Sequence, residues 1–278
     1  MKNPRRLWLI LLLGITLVTP GALHAAPPHQ NHGDGDVIDP TQNVDGTWGP
    51  GTLYVKSDVK INPGVTITLA PNTTVLVTAD AKISVHGDLH APGPGEVTFS
   101  HRDGTPGSWE GLVYQPGSSG YLNFVVVEYA RHAITLDTAK RIVLHYVKLR
   151  GNRDRANGNS DASGAGLRVL RGTHRVENRS DIHHNAVSSQ NGDALGGGIY
   201  VASGAGLELV DARVRDNVAE ARNNGDVYGG GIYVAPRGHI DVIRSRIYEN
   251  VIETGNRGDG SGGGLYSARD AEVEVTDS

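Results

Sequence analysis

Residues 196–217 read GGGIYVASGAGLELVDARVRDN, and residues 229–250 read GGGIYVAPRGHIDVIRSRIYEN. The second stretch repeats the first, with Gly229 standing where Gly196 stood and Asn250 where Asn217 stood. Inside the first copy, Ile199-Tyr-Val201 alternates in, out, in, and Leu207-Glu-Leu209 and Val214-Arg-Asp216 follow as further short strands. A period of two is the mark of a strand with one buried face. Three short strands are therefore expected per repeat, with Asn217 turning the chain. Residues 218–228 read as a polar loop that returns to the next glycine triplet.

Working outward, the glycine segments Gly164-Ala-Gly-Leu167, Gly196-Gly-Gly-Ile199, Gly229-Gly-Gly-Ile232 and Gly262-Gly-Gly-Leu265 recur at near-constant steps (167→199→232→265, that is 32, 33 and 33). One more step back reaches Ile134. Three further columns keep the same phase: Asn152, Asn185, Asn217 and Asn250; Asp161, Asp193, Asp226 and Asp259; Arg168, Tyr200, Tyr233 and Tyr266. A fixed period of this length signals a solenoid, in which each repeat is one coil stacked on the next. Coils of short strands stack about 4.8 Å apart, which predicts Ile134, Leu167, Ile199, Ile232 and Leu265 as one inward stack.

Earlier in the chain, Thr52-Leu-Tyr-Val55, Val65-Thr-Ile-Thr-Leu69, Val75-Leu-Val77, Ile83-Ser-Val85 and Val97-Thr-Phe99 read as strands separated by Pro-Gly, Pro-Asn and Gly-Asp turns. No stretch after the N-terminus carries a helical apolar period. A leucine-rich repeat is the competing solenoid, because Leu144, Val147, Leu149 and Asn152 match its spacing. The other coils place Ser180, Ala212 and Ser245 where that motif needs a large apolar residue. The fold class read here is all-β: a single-stranded right-handed parallel β-helix (β-solenoid) with three short strands per coil and a C-terminal coil period of 32–33 (167→199→232).

The GGGIYV…LELVDARVRDN pattern resembles the right-handed β-helix repeats of the pectin-lyase-like superfamily. The first half, from Thr47-Trp-Gly-Pro-Gly-Thr-Leu-Tyr-Val55 to Asp103-Gly-Thr-Pro-Gly-Ser-Trp-Glu-Gly111, is similar to the N-terminal coils of bacterial secreted β-helix proteins. The resemblance covers residues 46–278. It implies the fold, and an exterior face flanked by loops that carries the polysaccharide groove; it is nearly silent on activity, since such folds host many functions.

At the N-terminus, Lys2, Arg5 and Arg6 precede an apolar run from Leu7 to Val18 and a small-residue exit at Ala22-Leu-His-Ala25-Ala26. This is a secretory signal peptide over residues 1–25, its apolar run short against the roughly 20 residues that span a bilayer. Residues 26–45 are rich in Pro, Gly, His and Asp and read as a flexible linker; His24, His29, His32, Asp34 and Asp36, in and beside it, are expected to be solvated. The β-helix follows over 46–278, breaking off before the third strand of its last coil, since Val275-Thr-Asp-Ser278 aligns with Val242-Ile-Arg-Ser245. Secretion or display at the cell surface is expected, as a monomer with no membrane span in the mature chain. The formal net charge of −4 is mild, which gives no footprint for nucleic acid, and zero cysteines exclude disulfides and thiolate chemistry.

The columns also carry chemistry. Stacked asparagines satisfy one another at a turn. Asp193, Asp226 and Asp259 suit turns, where a carboxylate accepts backbone N–H groups; the same repelling row admits calcium, a hard ion with oxygen ligands. Tyr200, Tyr233 and Tyr266 alternate with inward residues and so project outward. They and the Asp column are the candidate ligand-binding residues, either contacting sugar rings or packing over the sheet. Arg257-Gly-Asp259 falls into the repeat columns, which explains it without an adhesion motif. No catalytic residues are identified: the Asp-Asp, Asn-Thr-Asp and Arg-Ile-Lys motifs of polygalacturonase-like hydrolases are missing. The reading is a binding or structural scaffold that contacts a polysaccharide or cell-surface component and requires no cofactor. The alternative is a polysaccharide-active enzyme, a lyase rather than a hydrolase.

Overall fold

Leu53, Val75, Phe99, Val127, Leu149, Ile182, Val214 and Ile247 pair one to the next in parallel register. The first seven are buried, and Ile247 packs against the same core. This column threads the computed structural model, which describes residues 31–278, through nearly its whole length. The chain is a right-handed parallel β-helix. Three long sheets, two of nine strands and one of eight among the described residues, are built from strands that recur coil after coil. In one coil they are Ile199–Val201, Gly206–Val210 and Arg213–Arg215. The predicted stack Ile134, Leu167, Ile199, Ile232 and Leu265 runs in register through the first of these sheets. Its first four members are buried and Leu265 packs against them.

Coil length is not constant along that column. The early steps are short (53→75→99→127→149), and the later ones are long (149→182→214→247). The long steps hold two extra strands rather than a polar loop of the kind expected at 218–228. Ala186–Ser189, Val218–Ala221 and Val251–Thr254 stack on Arg153–Ala156 as a fourth sheet. Ala194–Leu195, Val227–Tyr228 and Gly260–Ser261 stack on Ala162–Ser163 as a fifth. Between them lies a second small core of Ala156, Ala162, Ala165, Val187, Ala194, Ala219, Ala221 and Val227. Alanine fills a core this narrow, and its weak hydrophobic signal is why the segments read as loops.

A second correction concerns the linker. The expected signal peptide and the first part of the expected tether lie outside the described residues, but residues 31–45 form the first coil. Thr41–Gln42 pairs with Val59–Ile61, and His32 and Val37 bridge to Trp48 and Tyr54. His32, Ile38 and Gln42 are buried. Asp34 and Asp36 are turn acceptors here, Asp34 Oδ1 taking the Thr52 N–H at 2.7 Å and Asp36 Oδ2 the Gly33 N–H at 2.8 Å. Single bridges and a two-residue strand show no periodicity, so composition alone concealed them.

At the bend after the third sheet, the asparagine column is a continuous ladder. The side-chain Nδ2 of Asn152 donates to Asn185 Oδ1 at 2.8 Å, that of Asn185 to Asn217 Oδ1 at 3.0 Å, and that of Asn217 to Asn250 Oδ1 at 2.9 Å. Each of these acceptors also takes the backbone N–H of the preceding asparagine. The second Nδ2 proton goes to a carbonyl of the third sheet, Leu149 for Asn185 and Ile182 for Asn217. The glycine triplets close over this ladder: a Cβ at Gly198 would sit 2.8 Å from Asn217 Nδ2, and Gly196 holds φ at +62°. Asn217→Ala removes the acceptor of the buried Asn185 N–H and of one Asn185 Nδ2 proton, each a loss of about 1–3 kcal/mol. We expect a total destabilisation of about 3 kcal/mol in urea unfolding of the described coils, with hydrogen exchange accelerated at Asn185. A midpoint that does not move would contradict this account of the bend.

Candidate functional site: the tyrosine face and its buried flank

Tyr200, Tyr233 and Tyr266 occupy one register of the first sheet, between inward Ile199 and Val201 and their equivalents. Their half-buried rings stack at centroid distances of 5.6 and 5.8 Å, with planes within 9° and 7° of parallel. They face outward as predicted, but their flat faces lie against one another. The middle ring therefore has edges and a hydroxyl to offer a ligand rather than an open face.

Tyr228, on the fifth sheet, comes against this stack from the other side of the Gly229 turn. Its ring lies 4.6 Å from Tyr266 and 6.4 Å from Tyr233, tilted against both. Its hydroxyl donates to Asp226 Oδ2 at 2.9 Å, a bond that, with burial, pushes the phenol pKa up to about 12. Burial also raises the Tyr233 phenol, with Tyr200, Tyr266, Asp193 and Asp161 adding to the effect. The aspartate column thus borders the tyrosine stack. The structure brings the two predicted sets together.

The aspartates are joined rung to rung. The backbone N–H of Asp193 donates to Asp161 Oδ1 at 2.8 Å, that of Asp226 to Asp193 Oδ1 at 2.9 Å, and that of Asp259 to Asp226 Oδ1 at 2.8 Å. One oxygen of each accepting carboxylate is therefore committed to backbone, which offsets the repulsion along the column. Among the described residues, no group of three or more His, Cys, Asp or Glu is placed to hold a metal ion.

Two features were missed by sequence reasoning. Tyr228 shares its register with Ser163, Leu195 and Ser261, so no column announced it. The other is a buried polar cluster below the stack, beside Arg168, the register neighbour of Tyr200. Arg168 Nη1 lies 3.2 Å from His132 Nε2, and Asp154 Oδ2 lies 3.8 Å from the same nitrogen. Arg131 Nε donates to Asp154 Oδ1 at 2.8 Å, and the Ser163 N–H to Oδ2 at 3.0 Å. Two successive turns of the solenoid meet here with different residues at the contact, and nothing in the repeat could signal that. Burial lowers the Arg168 pKa, and it drives that of His132 down to about 4, against the pull of Asp154 and with help from Arg168 and Arg131.

Compared with protein-family models, curated proteins and solved structures, the chain gives no match.

A neutral His132 has a consequence for stability. Its folded pKa lies below its unfolded value of 6.5, so between these limits the unfolded chain binds more protons. The stabilisation is present above pH 6.5 and is lost as pH falls toward 4. His174 and His183 are shifted the same way, chiefly by burial. The share of His132 is therefore read by difference: His132→Gln should flatten the fall in melting temperature as pH drops from the ordinary histidine value toward 4. An unchanged slope, or an NMR titration of His132 near 6.5, would refute the assignment.

Proposed function

We propose that the protein is an exported β-helix of the pectin-lyase-like kind that acts at the cell surface or outside the cell as a binding or structural scaffold, contacting an extended polysaccharide along the tyrosine face. The observation that carries this reading is the in-register stack of Tyr200, Tyr233 and Tyr266 bordered by Asp193, Asp226 and Asp259. Hydroxyls and carboxylates recur once per rung along the axis, about 4.8 Å apart. A polymer with regularly spaced hydroxyls meets the same donors and acceptors at every step. The ring edges between the hydroxyls supply the apolar contact. The segments between glycine triplets are near-copies, and a uniform surface suits binding better than a reaction, which needs a unique set of groups at one place.

One observation favours the enzyme alternative. Arg168, His132 and Asp154 form a non-repeated polar cluster beside Tyr200, where a lyase would need a base and a charge-stabilising group. Both readings meet in one experiment. The purified protein is screened on a glycan array, and hits are incubated and read for unsaturated uronate absorbance. Binding without turnover is expected, weakened about tenfold in Tyr200→Ala/Tyr233→Ala, the equivalent of about 1.4 kcal/mol. The absence of binding to every glycan would end the scaffold reading, and release of unsaturated oligosaccharides would replace it with the lyase.

A further inference from the structure

On another side of the coil, where the second sheet turns into the third, four arginines share one surface hollow. Arg179, Arg213, Arg244 and Arg246 line a volume of about 250 Å³, together with Ala212 and a single carboxylate, Asp211. Arg179, Asp211 and Arg244 stand at the corner itself, at φ values of 60°, 52° and 46°, where the chain changes direction. Arg213 and Arg246 are register partners on adjacent parallel strands of the third sheet.

The charges here do not cancel. Asp211 is taken by Arg244, whose Nε and Nη2 donate to its two oxygens at 2.9 and 2.8 Å. Asp181, the register neighbour of Arg213 on its other side, is engaged by Arg215 at 2.8 Å. That leaves Arg179, Arg213 and Arg246, all exposed, with no ion-pair partner among the described residues. Nearby rungs are handled differently: Lys148 reaches Glu96 at 3.0 Å, Arg150 reaches Glu128 at 2.8 Å, and Arg215 lies between Asp181 and Asp216. Like charges directly opposite on neighbouring strands repel, and a guanidinium cannot shed its proton to relieve this. An anion in the hollow removes the repulsion. The guanidinium fork matches the oxygens of a tetrahedral oxyanion, two at a time.

We propose that this hollow is an anion-binding site for a phosphate or sulfate group carried by a larger ligand, held by Arg213 and Arg246 from the sheet and Arg179 from the corner. The site is separate from the tyrosine face and does not depend on the function proposed for it.

The test is calorimetric titration of the full chain at low salt with inorganic pyrophosphate, inorganic sulfate and, as an ionic-strength control, chloride. Saturable binding of pyrophosphate or sulfate, absent with chloride, is expected. Arg213→Gln/Arg246→Gln should weaken it by about tenfold or more, as loss of charge-assisted bonds does. Arg213→Lys/Arg246→Lys, which keeps the charge without the fork, should fall between the two. Asp211→Asn should tighten binding, because it removes the internal competitor, whereas a merely structural role for the pair predicts no gain. If the double glutamine variant does not fold, Arg179→Gln, at an exposed corner position outside the strands, is read the same way. No saturable binding of either anion, or affinity unchanged in the folded variants, would overturn the proposal.

Discussion

At the bend after the third sheet the chain leaves one strand direction for another, and the strand ladder cannot supply its hydrogen bonds there. The amides of Asn152, Asn185, Asn217 and Asn250 supply them instead, the last three each accepting two bonds from the coil before. An amide is the side chain that can both donate and accept along an axis without charge. The same ladder sets the spacing of whatever follows the bend. The fourth and fifth sheets, the second core and the glycine triplets hold their register because each starts from a pinned asparagine. The tyrosine stack lies one triplet further on, in register on the strands of the first sheet.

Much of this was legible because stacked coils force identical chemistry into columns. Asn, Asp, Tyr and inward Ile or Leu recur at the coil period, and any residue that must meet its copy is readable from spacing alone. What failed to show was what does not meet a copy. The alanine-lined core behind residues 218–228 gives too little apolar contrast, although Val218-Ala219-Glu220-Ala221 does alternate in burial. The first coil, with Ile38 and Gln42 buried beside bridges and one very short strand, has no period to detect. His132, Asp154 and Arg168 meet across turns of unequal length, at the place where the short period gives way to the long one. Tyr228 is a single substitution in a column of Ser and Leu.

The tyrosine face shows how a column can be predicted in place while its packing is set by the register. Outward alternation put the rings on the surface, but in-register stacking then turned their faces toward each other. A row of aromatic residues on parallel strands is thus less a platform than a ribbon of edges and hydroxyls. What it presents along the axis is polar and repeated. Asp161, Asp193 and Asp226 beside it each have one carboxylate oxygen bound to a backbone N–H.

A parallel in-register solenoid sets like upon like, and every charged column must answer for it. The Asp column is relieved by backbone N–H groups pointing at its carboxylates. The corner column avoids the problem by alternation, Arg179, Asp211, Arg244 and Asp277 following one another at equivalent left-handed positions. The aromatic column turns likeness into stacking. Arg213 over Arg246 has none of these devices: there is no alternation between them, and the one carboxylate in register with Arg213, Asp181, is engaged by Arg215. A repeat protein tolerates such a pair on its surface because water and salt screen it. Screening explains tolerance but not convergence, since exposed arginine side chains free to diverge would do so. Here the strand register and the corner geometry aim them into one hollow, and the charge left over there is available to a ligand.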